Sequence, residues 1–182
     1  MAKMIGVLAL QGGFEAHARI LRGLGHTVRE VRTAGDLDGL VGLVLPGGES
    51  STMLKLIGFS GLWDALDAYV RRGGPVLATC AGMILAATGV SGPEQASFGW
   101  LDIDVTRNGW GRQVHSFEAT TDDGALKLVF IRAPRVTRVG DGVEVVHTFE
   151  GEPIAVRSGA LVAASFHPEL ADEPGLHALT FG

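Results

Sequence analysis

The chain has 182 residues, 46% of them hydrophobic and 19% charged, and a formal net charge of −5. That length and composition provide one domain's worth of core, and the acidic balance, with no block of Lys and Arg, excludes a general nucleic-acid surface. The single Cys excludes an internal disulfide, the opening MAKMIGVLAL is too short an apolar run for a signal segment, and no stretch is long enough to cross a bilayer, so a soluble, cytoplasmic protein is expected.

MIGVLAL (4–10) predicts a buried strand ending at Gln11-Gly12-Gly13. Phe14, Ala18, Leu21 and Leu24 recur at helical spacing, and Gly25 stands where a helix ends on a left-handed residue. TVREV (27–31) is a second strand, and LVGLVLPGG (40–48) a third, broken by Pro46-Gly47-Gly48. Ser60 is placed to cap a helix carrying Trp63, Leu66 and Val70, with Arg71 and Arg72 in its last turn and Gly73 beyond it. PVLAT (75–79) is a fourth strand, followed by a helix of small residues. Strands alternating with helices predict a parallel sheet covered on both faces. Later in the chain, WLDIDV, HSFEATT, LKLVFI, VEVVHTF, PIAVRS and LVAASF are short β-rich runs between Gly, Asp and Asn turns. They predict antiparallel or mixed strands extending the same sheet. No repeat or linker divides the chain, so one α/β domain over 1–182 is expected.

Cys80 sits at the carboxyl end of the fourth strand, where open α/β sheets hold their ligands. Ala78-Thr79-Cys80-Ala81-Gly82 resembles a nucleophile elbow, whose sharp strand-to-helix turn needs small neighbours, although a strict elbow would have Gly at 78. A lone Cys is more often inert packing. Its place at a helix N-terminus, where a thiolate is favoured, sets this one apart.

A Cys nucleophile needs a His, and the His an orienting acceptor. Of the six His, His17 lies in the first helical segment, His26 in a turn, His115 near a strand start, His147 inside a strand and His177 in the tail. His167 differs: it ends LVAASF and opens His167-Pro168-Glu169-Leu170. Pro168 favours an extended His167, and side chains two apart on an extended segment point the same way. Glu169 is therefore placed to accept the imidazole Nδ1–H while Nε2 faces Cys80. LPGGESS (45–51) follows the third strand, and its Gly pair allows a backbone N–H to face a cleft. Gly48 and Ala81 are the candidate donors to an oxyanion. The chain has no Gly-Lys-Ser/Thr phosphate loop, QGGFEAH lacks the glycine spacing of a dinucleotide site, and His and Cys are scattered without metal-ligand spacing. No metal and no cofactor are expected.

Taken together, LPGGESS, ATCAG and SFHPEL resemble the class I glutamine amidotransferases, with Cys, His and Glu in that chain order. IGVLALQG, RNGWGRQVHSFEA (107–119) and VFIRAP (129–134) are similar to the glutaminase subunits of pyridoxal 5′-phosphate synthases, and the resemblance runs from Ile5 to the HPEL segment. It implies a doubly wound, flavodoxin-like fold and hydrolysis of L-glutamine to glutamate and ammonia. It implies Cys80 as nucleophile, His167 as general base and acid, and Glu169 as its orienter. It implies glutamine contacts at Gly48, Glu49, Ser50, Arg107, Ile131 and Arg132; an Arg fork suits the substrate α-carboxylate. The implied partner is a (β/α)8-barrel synthase subunit in a large heteromeric assembly that makes pyridoxal 5′-phosphate from the ammonia, with neither nucleic acid nor membrane involved. Departures from the family pattern are Ala78 for Gly, Glu15-Ala16 for an Arg-Glu pair before His17, Trp110 for Phe, and an end at HALTFG. The alternatives are the same glutaminase feeding another synthase, a non-catalytic scaffold of this fold, and a cysteine hydrolase of the stress-protein type.

Overall fold

The computed structural model describes residues 1–110 and 116–182. In chain order its elements are β1 (Met4–Leu8), α1 (Phe14–Gly23), β2 (Thr27–Val31), β3 (Gly42–Leu45), α2 (Ser50–Phe59), α3 (Trp63–Arg71), β4 (Val76–Thr79), α4 (Ala81–Ala86), β5 (Ala87–Ser91) and β6 (Leu101–Thr106). Then come β7 (Ser116–Thr120), β8 (Lys127–Ile131), β9 (Arg135–Val139), β10 (Glu144–Phe149), β11 (Glu152–Ser158), β12 (Leu161–Ala164) and α5 (Gly175–Phe181). Short 3-10 turns lie at Ala34–Leu37 and Pro168–Leu170.

A seven-stranded sheet is ordered β10-β11-β12-β4-β3-β1-β2. The strands β2, β1, β3, β4 and β12 are mutually parallel, while β11 runs antiparallel to both β12 and β10. Because strand side chains alternate, each central strand feeds two cores. Val7, Val44, Leu77 and Val162 pack on one face with Leu21 of α1 and Leu176 and Phe181 of α5. Leu8, Leu43, Leu45, Val76 and Leu161 pack on the other with Met53 and Ile57 of α2 and Leu66 of α3. Most of these are fully buried, and each such side chain contributes about 1.5–3 kcal/mol. The carboxyl ends of β1, β3, β4 and β12 thus gather the segments that follow them at one edge.

The helix over Phe14–Gly23 ends as its sequence predicts. The His26 N–H donates to the Leu21 carbonyl, the Gly25 N–H donates to that of Arg22, and Gly25 has φ +82°. Three expectations need correction. Only β10, β11 and β12 of the later strands extend the main sheet; β5, β6 and β9 form a three-stranded sheet and β7 and β8 a hairpin. The reason is one-sided burial: Leu101, Ile103 and Val105 of β6 lie on the α2–α3 side, and Leu128 and Phe130 of β8 on the α5 side, so each group covers a core. Secondly, Ser60 caps the end of α2 and not the start of α3: its Oγ donates to the Leu56 carbonyl at 2.8 Å, and Leu62 precedes α3. Thirdly, a helix, α2, begins at Ser50 within LPGGESS, where the sequence pattern places no helix. The stretch 111–115, the GRQVH of RNGWGRQVHSFEA with His115, lies outside the described residues. Among the described residues no helix is long and apolar enough to cross a membrane.

Candidate active site

Cys80 occupies a strained turn between β4 and α4, with φ 49° and ψ −105°. A non-glycine residue held there costs about 1–3 kcal/mol and persists only where its surroundings enforce it. They do: the Cys80 N–H donates to the Ala164 carbonyl at 2.8 Å, and the Cys80 carbonyl accepts from Ile84 N–H at 3.2 Å. The small neighbours are required as the elbow reading supposes. A Cβ on Gly82 would stand 2.2 Å from the Leu45 carbonyl oxygen. Ala78 is buried in β4 opposite Leu45 and Ala163.

His167 follows β12 and faces Cys80. Its Nδ1 lies 2.6 Å from Glu169 Oε1, and its backbone N–H donates to the Val129 carbonyl at 2.8 Å. The contact between the two side chains is not made along an extended segment. His167 is extended (φ −106°, ψ 87°), but Pro168–Leu170 is a 3-10 turn, and that turn brings Glu169 back against the ring. Glu169 is fully buried and His167 nearly so. Burial works against the imidazolium, yet hydrogen bonding to Cys80 and Glu169 and the negative charge of both outweigh it, and His167 is raised to about 10. Burial likewise opposes the Glu169 carboxylate, but the hydrogen bond from His167 and electrostatic attraction to the His17 and His167 rings hold it below its usual value.

In front of Cys80 lies a cleft of about 210 Å³, lined by Gly48, Glu49, Ser50, Cys80, Ile84, Arg107, Asn108, Ile131, Arg132 and His167. That is room for a small polar molecule. Every residue expected to contact glutamine lines it, while Glu169 lies behind His167 and Ala81 follows Cys80. The loop before α2 is shaped by close backbone approaches. Gly13 N–H donates to the Gly47 carbonyl at 3.2 Å, which turns the Gly48 N–H, across the same planar peptide, away from that turn. Gly48 has φ 151°, and a Cβ there would stand 2.2 Å from Gln11 Nε2. Glu49 is more than a cleft residue. It caps α2, accepting from Ser51 N–H at 3.2 Å and Thr52 N–H at 2.7 Å, and it pairs with Arg107 at 3.2 Å. The Ser51 and Thr52 hydroxyls also donate to it, which lowers its carboxyl to about 2. The Ser50 hydroxyl donates to Gln95 Oε1 at 3.0 Å.

Sequence reasoning missed several residues at this site: Gln11, Gly47, Ile84, Asn108, and a buried group of His17, Thr79 and His177 behind Glu169. His17 carried a readable signal, since it lies three residues from Phe14 and four from Leu21, on the buried face of α1. Of the other His, His26 and His147 are half-buried and distant in the fold, on β2's approach and in β10. Among the described residues no group of three or more His, Cys, Asp and Glu is placed to hold a metal ion.

A sequence profile described as the SNO glutamine amidotransferase family matches residues 7–179. The chain is 46% identical to a protein of Solibacter usitatus named "Pyridoxal 5'-phosphate synthase subunit PdxT", with 97% of each chain covered. It is 50% identical to the protein of that name in Parafrankia sp., over 98% of this chain and 91% of the relative. A solved structure described as "Crystal structure of glutamine amidotransferase" superposes with a TM-score of 0.90 at 44% identity, covering 97% of this chain and 96% of the other.

Proposed function

This chain belongs to the SNO glutamine amidotransferase family, and from that premise we propose that it is the glutaminase subunit of a pyridoxal 5′-phosphate synthase. The observation that carries the reading is Cys80 on a strained strand-to-helix turn, facing His167 whose Nδ1 is 2.6 Å from buried Glu169. We read 1–182 as one amidotransferase domain, doubly wound and flavodoxin-like, working in the cytoplasm.

Glutamine enters the cleft with its α-carboxylate toward Arg107 and its side-chain amide toward Cys80; Gly48, Glu49, Ser50, Ile131 and Arg132 complete its surroundings. The Cys80 thiolate attacks the amide carbon, and the Gly48 and Ala81 N–H groups receive the negative charge on oxygen. One such donor is worth about 3–4 kcal/mol of barrier. Protonated His167 delivers its Nε2 proton to the leaving nitrogen, the C–N bond breaks, and ammonia departs from a thioester. Neutral His167 then takes a proton from water. The hydroxide adds to the thioester, the C–S bond breaks to release the Cys80 thiolate, and the product acid gives up its proton to solvent and leaves as glutamate. Glu169 keeps Nδ1 protonated throughout and offsets the charge of the imidazolium. The ammonia passes to a (β/α)8-barrel synthase subunit docked in a large assembly, since free ammonia at neutral pH becomes the non-nucleophilic ammonium ion.

The test is glutamate and ammonia release from L-glutamine, measured with and without the synthase subunit, with Cys80→Ala as control. Release that rises with the partner and vanishes in the variant is expected. Release by the variant at the wild-type rate would remove Cys80 from the mechanism, and no release by the wild type in either condition would favour a scaffold.

A further inference from the structure

We propose that His17, braced by His177, is a positioning residue for this reaction: its Nε2–H holds the second oxygen of Glu169 and thereby fixes the carboxylate that orients His167. The inference rests on the glutaminase reading above.

Glu169 is 0% exposed, so both of its oxygens need donors from the protein. Oε1 has the His167 ring at 2.6 Å. Among the described residues Oε2 has no partner with full hydrogen-bond geometry, but His17 Nε2 stands 3.3 Å away. His17 is also fully buried, projecting inward from α1, and its Nε2 lies 3.1 Å from the Thr79 hydroxyl, one residue before the nucleophile. Its other nitrogen, Nδ1, is 2.8 Å from Nε2 of buried His177 on α5.

Two neutral rings joined in this way allow two proton arrangements. In one, His177 Nε2–H donates to His17 Nδ1, and His17 carries its own proton on Nε2, 3.1 Å from the Thr79 hydroxyl and 3.3 Å from Glu169 Oε2. In the other, His17 Nδ1–H donates to His177, and a bare His17 Nε2 lone pair faces the carboxylate oxygen. The anion selects the first. Among the described residues His177 Nδ1 has no hydrogen-bond partner, which suits a bare acceptor and not an N–H. The Glu173 backbone lies beside the His177 ring and would favour the second arrangement, but without hydrogen-bond geometry it is outweighed by the charge on Glu169.

The groups facing His17 are Glu169, His167, His177 and Thr79. Burial, only partly offset by Glu169 and reinforced by His167, lowers His17 to about 4. Burial and the neighbouring His17 lower His177 to about 3, against the pull of Glu169. Both rings are therefore neutral at pH 7, and His17 can hold Glu169 without setting a second cation beside the His167 imidazolium. The carboxylate is then held from both sides and cannot rotate out of the plane of His167.

The first measurement is the tautomer of His17 in the isolated wild-type chain at pH 7, read from ¹⁵N imidazole shifts. Nε2–H is expected, and Nδ1–H would overturn the proposal. The second is steady-state glutamine hydrolysis with the synthase subunit present. His17→Phe keeps a ring and loses the donor. Its kcat should fall about tenfold, as for loss of a hydrogen bond to a charged group, with KM within about twofold. The acid limb of its pH–kcat profile should move to higher pH, because Glu169 loses a group that holds it charged. His17→Gln keeps a terminal N–H and should recover kcat to within about threefold of wild type. Equal loss in both variants with an unshifted pH profile, or full activity in folded His17→Phe, would assign His17 to packing alone. Should His17→Phe fail to fold, the tautomer and His17→Gln still decide. If wild type hydrolyses no glutamine, the glutaminase reading falls, while the tautomer still reports on His17.

Discussion

Gly47→Ala should slow hydrolysis about a hundredfold while leaving the fold intact. Gly47 is not among the residues with positive φ, so its backbone accepts a side chain. The space does not: a Cβ there would stand 2.3 Å from His167 Cε1, 2.8 Å from Nδ1 and 3.3 Å from Cys80 Cβ. The closest of these is about 1 Å nearer than ordinary contact, which begins at 3.4 Å. His167 cannot simply retreat, because Nδ1 is held by Glu169 at 2.6 Å and its N–H by Val129 at 2.8 Å. The methyl therefore tilts the ring away from Cys80, and a misplacement of about 1 Å costs about 10²-fold in rate, or about 2.7 kcal/mol. The assay is steady-state glutamate release in the presence of the synthase subunit, alongside a thermal melt of each protein. A folded Gly47→Ala variant with kcat within about twofold of wild type would refute the packing argument.

His167 should remain protonated well above neutrality. Because its folded value is raised, to about 10, the stability its protonated form contributes is complete below about 6.5 and lost as pH rises through about 10. Cys80→Ala removes one of the groups that raise it, so its ring should titrate at lower pH in that variant by NMR; an unmoved titration would mean that the two side chains do not interact. Glu49→Ala removes the cap of α2 and should cost about 1 kcal/mol at pH 7 by denaturant titration. That difference should shrink as pH falls from about 4.5 through about 2, because a carboxyl lowered in the folded state stabilises only while ionised. Arg107→Ala should raise KM for glutamine about tenfold with kcat within about threefold, since it removes a charged partner for the substrate carboxylate. A change in kcat alone would place Arg107 elsewhere in the reaction.

How far the sequence was legible depended on the range of the signal. The parallel core could be read because MIGVL, GLVL and VLAT are continuous apolar runs, as strands buried on both faces must be. The later strands were recognisable as strands, but their grouping was not: WLDIDV shows one apolar face and says nothing of which core that face will cover. Cys80, His167 and Glu169 stand out as candidates in the sequence because each sits in a local turn motif. The 3-10 turn that delivers Glu169 leaves no period-2 or period-3.6 trace, so the pairing was reached through a different local geometry. Glu49 shows the opposite limit. Its role as a cap depends on α2 beginning at Ser50, a start that the two preceding glycines do not signal. His17 and His177 are 160 residues apart, and only the packing of α1 and α5 on the same sheet face sets their rings 2.8 Å apart. Trp110 is a further case: its indole N–H donates to the Pro134 carbonyl at 3.1 Å, a partner 24 residues away that no local pattern signals.

The most direct test of the central claim is covalent. The protein, together with its synthase subunit, is incubated with a glutamine analogue carrying an electrophile at the side-chain carbon, and the adduct is located by peptide mass mapping. The account predicts one adduct per chain, on Cys80, prevented by excess L-glutamine and strongly slowed in His167→Ala. A Cys80 that stays unmodified while the protein is folded and bound to its partner would contradict it.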